Sequence, residues 1–232
     1  MRHALRSAVL ALAVASPGVA IAEDQPVVVE LFTSQGCASC PPADRLLGQL
    51  AGKPGVIALA LHVDYWDYIG WPDAFADPRF TQRQKSYAKR SGERMIYTPQ
   101  LVVGGLDQIV GSRVMEIADA ISAHDDQVQP VRVEAERRGD KVHITARMAD
   151  GAKAQDVLVQ LVPYDPLQRV AIQGGENAGA VLDYVNIVRD WRVLGEWDGQ
   201  GVWTGDAPLE GPAAVIVQEP GPGRILGAAR VE

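Results

Sequence analysis

The chain has 232 residues, 47% of them apolar and 22% charged, with a formal net charge of −7. That is enough chain and enough apolar content for one large cored domain or two small ones. The acidic balance argues against a nucleic-acid or anionic-membrane partner, since both need a positive footprint on the protein.

In chain order, Arg2 and Arg6 form a positive start, AVLALAVA an apolar run, and Ala20-Ile21-Ala22 a small-x-small site before Glu23. This reads as a signal peptide over residues 1–22, too short in its apolar part for a membrane span. The expected location is therefore periplasmic or secreted. Without Arg2 and Arg6 the remainder holds 20 basic against 29 acidic residues, a net of −9.

Val27 to Phe32 is a continuous apolar run broken only by Glu30, as in a strand buried on both faces. A lone carboxylate there costs energy unless it is paired or protonated. After the turn Thr33-Ser34-Gln35-Gly36 come Cys37-Ala38-Ser39-Cys40, the only two cysteines of the chain. Pro41 and Pro42 then suit the first turn of a helix, with Leu46, Leu47 and Leu50 as its apolar stripe. Val56 to Val63 is a second buried strand, completing a strand–helix–strand unit with parallel strands.

Residues 64–95 read as a helical insert. DYWDYIGWP is aromatic and irregular, and Asp77-Pro78 opens a helix to about Arg90 that Gly92 ends. The crowded cations between Arg79 and Arg90 read as a solvated face. Leu101-Val102-Val103 and Asp107 to Val110 form a hairpin through Gly104-Gly105. Ser112 caps a last helix that runs to His124, its buried face Val114, Ile117, Ala118 and Ile121.

Beyond a boundary near residues 125–127 the pattern changes to short alternating runs. Val131 to Ala135 and Val142 to Ala146 form a hairpin, and further strands are expected at Val157 to Val162, Val181 to Val188, Arg192 to Trp197, Ala213 to Gln218 and Arg224 to Val231. About seven short strands in about 100 residues suit a β-sandwich. The expected architecture is thus an α/β domain over 23–127 followed by an all-β, sandwich-like domain over 128–232.

The first half resembles the thioredoxin-like superfamily. A strand leads into the Cys-x-x-Cys at a helix start, and Thr98-Pro99 later opens a hairpin that ends at Gly111 before a terminal helix. The resemblance implies an α/β thioredoxin-like fold for this half, a cis bond at Thr98-Pro99 packed against the cysteines, and Glu30 in the place of the buried acid beneath them. The stretches ELFTSQGCASCPPAD, HVDYWDYIGW and YTPQLVV, with GGENAG, Asn186 and Arg189 further on, are similar to a narrower family of exported bacterial proteins, domain of unknown function 1223. The dipeptide Ala-Ser between the cysteines and one extra residue after Glu30 depart from thioredoxin.

The cysteine pair admits three readings: a redox centre, an inert disulfide, or half of a metal site. A disulfide closing so short a loop constrains the unfolded chain by only roughly 2 kcal/mol, which weakens the second. A metal site needs further soft ligands, and His62 is the only histidine near in sequence. In the redox reading Cys37 attacks, Cys40 resolves, and Pro99 and Glu30 complete the catalytic set. Glu30 either shuttles the Cys40 proton or is a buried carboxylate without a kinetic role. Thr98, Trp66 and Trp71 are the candidate substrate contacts, although aromatics such as Tyr65, Trp66, Tyr68 and Trp71 are more often local core. Glu176-Asn177 with Asn186 and Arg189 form either a contact site or, the favoured reading, an internal hydrogen-bond network.

The expected function is therefore a periplasmic thiol–disulfide oxidoreductase that uses no bound cofactor and no metal. Its partners are protein or small-molecule thiols and disulfides and a redox partner protein. The alternative is an exported binding protein that holds Cu(I) or another soft metal at the pair, or a partner, without redox turnover.

Overall fold

The computed structural model describes residues 25–232; the signal peptide read over residues 1–22 lies outside the described residues. β1 (Val27–Thr33) and β2 (Val56–His62) are buried along their whole length. They run parallel, in register from Val27↔Val56 to Thr33↔His62, with α1 (Pro41–Ala51) crossing between them. Alternation sends β1 side chains to two faces. Val27, Val29 and Leu31 pack with Ala43, Leu47 and Leu50 of α1, and Val28 and Phe32 enter a different core with Phe80 and Tyr87.

α2 (Pro78–Ser91) begins as its sequence indicates. The Asp77 carboxylate accepts from the Arg79 N–H at 2.8 Å, Pro78 takes the first helical position, and Gly92 ends the helix at φ 79°. β3 (Gln100–Val103) lies antiparallel to β1, and β4 (Asp107–Val110) returns along β3. α3 (Val114–Asp125) follows on the α1 side, with Ile117 its buried apolar anchor. Its cap is Arg113 rather than Ser112, and Val114, expected to be buried, stands 51% exposed.

The second half is built from β5 (Val131–Arg138), β6 (Lys141–Met148), β7 (Val157–Ala171), β8 (Val181–Val188), β9 (Arg192–Trp197), β10 (Val202–Pro208), β11 (Ala213–Gln218) and β12 (Ile225–Val231). These strands do not form a separate sandwich. β8 joins β2 in parallel at Ala60↔Ile187, so one mixed sheet runs β12-β11-β7-β8-β2-β1-β3-β4, with β9 also on β7 as its ninth strand. β10, β6 and β5 form a three-stranded sheet. The expectation of an α/β thioredoxin-like domain followed by an all-β sandwich is thereby overturned: the described chain is mostly β, with three α-helices.

The physical reason lies in β1 and β2. Both faces of these strands are apolar and both must be covered. α1 and α3 cover one face. On the other, α2 buries only Phe80, Thr81, Gln84, Tyr87 and Ala88, too little apolar surface to close the core. Val162, Tyr164, Val188, Ala214, Ile216, Ile225 and Ala228 from the second half complete that core. β7 makes the continuity possible. Its first part pairs with β11 and β9, and from Tyr164 onward it pairs with β8. Pro163, which has no N–H to donate, stands where the partner changes. A last core, between the three-stranded sheet and β7, β9, β11 and β12, contains Val133, Ile144, Val159, Leu161, Trp197 and Val215.

Candidate functional site: the buried Cys-x-x-Cys corner

Cys37 and Cys40 are joined by a disulfide, with Cα atoms 5.4 Å apart. Cys40 is the N-cap of α1, and the Cys37 and Cys40 N–H groups donate to the Ser34 and Cys37 carbonyls, each at 3.2 Å. The next two residues are prolines and have no N–H, and Ala43 and Asp44 donate to the Cys40 carbonyl. Few helix N–H groups are therefore left for a thiolate. Ser39 Oγ lies 3.4 Å from the Cys37 sulfur. Cys37 and Cys40 are both fully buried, whereas Ala38 and Ser39 between them are exposed. Neither sulfur is thus the more open one.

A buried polar network stands behind the pair. Asp44 lies one helical turn past Cys40, on the same face of α1, and helical side chains lean toward the N-terminus. Its Oδ1 accepts from Thr33 Oγ1 at 2.8 Å, and its Oδ2 is buried without a partner. Burial pushes the Asp44 carboxyl up to about 7, against the opposing effects of the His62 charge and the Thr33 hydrogen bond. His62 Nδ1 meets Asp73 Oδ2 at 2.7 Å, and the same oxygen accepts from the Gln35 N–H at 2.8 Å. Burial drives Asp73 upward, but the His62 charge and these hydrogen bonds outweigh it and hold the carboxyl below its ordinary value. Tyr184 closes the cluster 5.0 Å from the His62 ring, with its hydroxyl buried and unpartnered. Burial, then the charges of Asp44 and Asp73, push that hydroxyl up.

Glu30 lies elsewhere. It points to the face opposite α1, where Arg83 Nε and Nη2 donate to its oxygens at 2.6 and 2.9 Å and Tyr87 Oη donates at 2.6 Å. Arg83 also stacks over Trp191 at 3.7 Å. The buried acid on the cysteine face is Asp44.

Thr98 and Pro99 enter from the start of β3, and the bond between them is cis. Gly111 wedges Pro99 against α1: a Cβ there would lie 2.8 Å from Pro99 Cβ and 2.9 Å from Ala43 Cβ. Trp66 Nε1 donates to Thr98 Oγ1 at 2.7 Å, and Trp71 Nε1 donates to Gln35 Oε1 at 2.7 Å. One indole is thus tied to the residue before Pro99 and the other to the turn before Cys37, and Tyr68 between them in sequence is 82% exposed.

The sequence reading missed Asp44, Asp73 and Tyr184. Asp44 had a local signal, a carboxylate four residues past a cysteine on the buried stripe of a helix. The other two come from distant segments. The turn between β7 and β8 also reaches the pair, since Asn177 Nδ2 donates to the Gln35 carbonyl at 2.8 Å and to the Cys37 carbonyl at 3.0 Å. Asn186 donates to the Ala58 carbonyl of β2 at 2.9 Å, and Arg189 faces Asp165 at 3.5 Å. Among the described residues, no group of three or more His, Cys, Asp or Glu is arranged to hold a metal ion, and no helix is long and apolar enough to cross a membrane.

The fold and the site define a mixed-sheet protein with a buried Cys-x-x-Cys disulfide at a helix start. The chain belongs to the family described as protein of unknown function (DUF1223), whose family model matches residues 28–218. It is similar to the crystal structure of protein AGR_C_4864 from Agrobacterium tumefaciens, at 35% identity and a TM-score of 0.77 over 88% of this chain and 93% of that one. HBP35 of Porphyromonas gingivalis shares the fold at 17% identity and a TM-score of 0.60, over 90% of this chain and 75% of that one. No curated protein matches the chain.

Proposed function

We propose that this is an exported thiol–disulfide exchange protein, thioredoxin-like in its redox corner, that cycles Cys37 and Cys40 between disulfide and dithiol. The observation that carries this reading is the disulfide at the start of α1 with the unpartnered Asp44 carboxylate oxygen buried one turn behind it. A purely structural staple has no use for a buried, titratable oxygen at that place.

In the reducing direction the Cys37 thiolate attacks one sulfur of a client disulfide. The client S–S bond breaks, and the departing sulfur takes a proton from solvent. Cys40 then gives its thiol proton to Asp44, and its sulfur attacks Cys37 Sγ. The Cys37–client bond breaks, the second client sulfur leaves and is protonated, and two electrons have passed from the pair to the client. The reverse sequence oxidises a client dithiol. A carboxyl near 7 exchanges a proton readily at neutral pH, as this step requires. Thr98, Pro99, Trp66 and Trp71 border the loop and are assigned to client contact.

The test is insulin reduction and dithiol oxidation by the wild-type protein and by Cys37→Ser and Cys40→Ser. Turnover by the wild type, none by Cys37→Ser, and a trapped mixed disulfide with Cys40→Ser are expected. Equal behaviour of wild type and Cys37→Ser in every exchange assay would remove the reading.

A further inference from the structure

The turn between β7 and β8 has no part in the exchange chemistry, yet it is seated on the redox loop from about 140 residues away in sequence. Glu176 Oε2 accepts from the Ala38 N–H at 3.2 Å, and Asn177 Nδ2 ties down the Gln35 and Cys37 carbonyls. The far side of the turn rests on the aromatic segment. A Cβ at Gly174 would stand 2.7 Å from the Gly70 carbonyl oxygen, and one at Gly175 would stand 3.2 Å from Trp71 Cβ. Backbone bonds from Ala178 to Gly175, Ala180 to Asn177 and Gly179 to Ile172 hold the turn's shape. Both sulfurs are fully buried although the dipeptide between them is exposed. Glu176 itself is exposed and sets a carboxylate beside the first residue after Cys37.

We propose that this turn is a selective cover on the disulfide, in which Asn177 limits access to the sulfurs and Glu176 disfavours anionic thiols. The proposal rests on the exchange reading above for its biological meaning, but the chemistry it controls is measurable separately. An incoming thiolate must attack Cys37 Sγ, breaking the Cys37–Cys40 bond, forming a mixed disulfide and releasing the Cys40 thiolate, which takes up a proton. For that attack the bonds from Asn177 to the loop carbonyls must open. A fixed negative charge at the opening raises the free energy of a second negative charge there, and salt screens the effect.

The experiment measures second-order rate constants for reduction of the purified oxidised protein by three thiols of similar size: 2-mercaptoethanesulfonate, 2-mercaptoethanol and cysteamine. Rates are referred to thiolate concentration and taken at low and high ionic strength. Glu176→Gln is expected to raise the rate with the sulfonate roughly 3- to 10-fold relative to cysteamine, with the gain shrinking at high salt. Asn177→Ala, which removes two hydrogen bonds, is expected to raise all three rates by a common factor of about 10. Circular dichroism verifies that both variants are folded. Variants that match the wild type with every thiol would overturn the cover. Absence of client turnover in the insulin assay, with the charge ordering intact, would leave the cover standing and remove the exchange reading instead.

Discussion

Where the sequence offered one buried carboxylate, Glu30, as either a proton shuttle or an inert acid, the structure places Glu30 and Asp44 on opposite faces of β1. Glu30 is ion-paired with Arg83 and accepts a hydrogen bond from Tyr87 on the α2 face, whereas Asp44 is buried without a cation in contact on the cysteine face. Removing Arg83 strands the Glu30 charge, so Arg83→Met is expected to cost about 3–5 kcal/mol in urea unfolding. It should leave the pH profile of thiol exchange in place. Asp44→Asn, by contrast, should change the pH profiles of both stability and exchange. Its carboxyl titrates near 7 in the folded protein and near 3.8 when unperturbed. Between those values the unfolded chain releases this proton and the folded chain keeps it, so stability falls as pH rises through the window. Asp44→Asn is expected to flatten that fall, by up to about 4 kcal/mol between pH 4 and pH 7.5, and to abolish the inflection near pH 7 in the resolving step. Urea midpoints and stopped-flow exchange across pH check both. If Asp44→Asn leaves both pH profiles unchanged, Asp44 is not the proton carrier.

At the scale of elements, punctuation residues were the most legible. Asp77-Pro78 and Gly92 bound α2 as read, because capping acts over three or four residues and needs no tertiary partner. Asp77→Ala is expected to cost about 1 kcal/mol, measured by chemical unfolding. The burial of α3 was less legible: its periodicity nominated Val114 and Ala118, but the helix sits so that these face outward. Close approach was not legible at all. Gly111 reads as a strand terminator in sequence, whereas in space it is the one residue that fits between Pro99 and Ala43. Gly111→Ala must move either the proline ring or α1, and a loss of about 1–3 kcal/mol is expected from the same unfolding measurement.

At the scale of the whole molecule, the two halves share one sheet and one core. Ile225 donates to the Gly104 carbonyl at 2.9 Å, Gln218 Nε2 reaches Tyr87 Oη at 2.8 Å, and β8 lies along β2. A fragment comprising residues 25–127 would expose the edge of β2 and the Phe32, Phe80 and Tyr87 cluster. It is expected to be aggregated or unfolded, while the intact chain unfolds in a single transition by fluorescence and circular dichroism. Independent folding of the fragment, with protected amides in β1 and β2, would contradict the shared core.

The sequence by itself determined the elements whose causes are local: the parallel pair around α1, the caps of α2, the hairpin after Pro99, and the cysteine pair at a helix start. Periodicity, proline and glycine act over a few residues and can be read there. Which face each strand turned to which partner was decided only by the tertiary structure. A strand that is apolar on both faces states that it needs cover but does not name the cover. Here the cover came from strands more than 100 residues away in sequence, and with them came Tyr184 behind the cysteines and the turn of Glu176 and Asn177 above them.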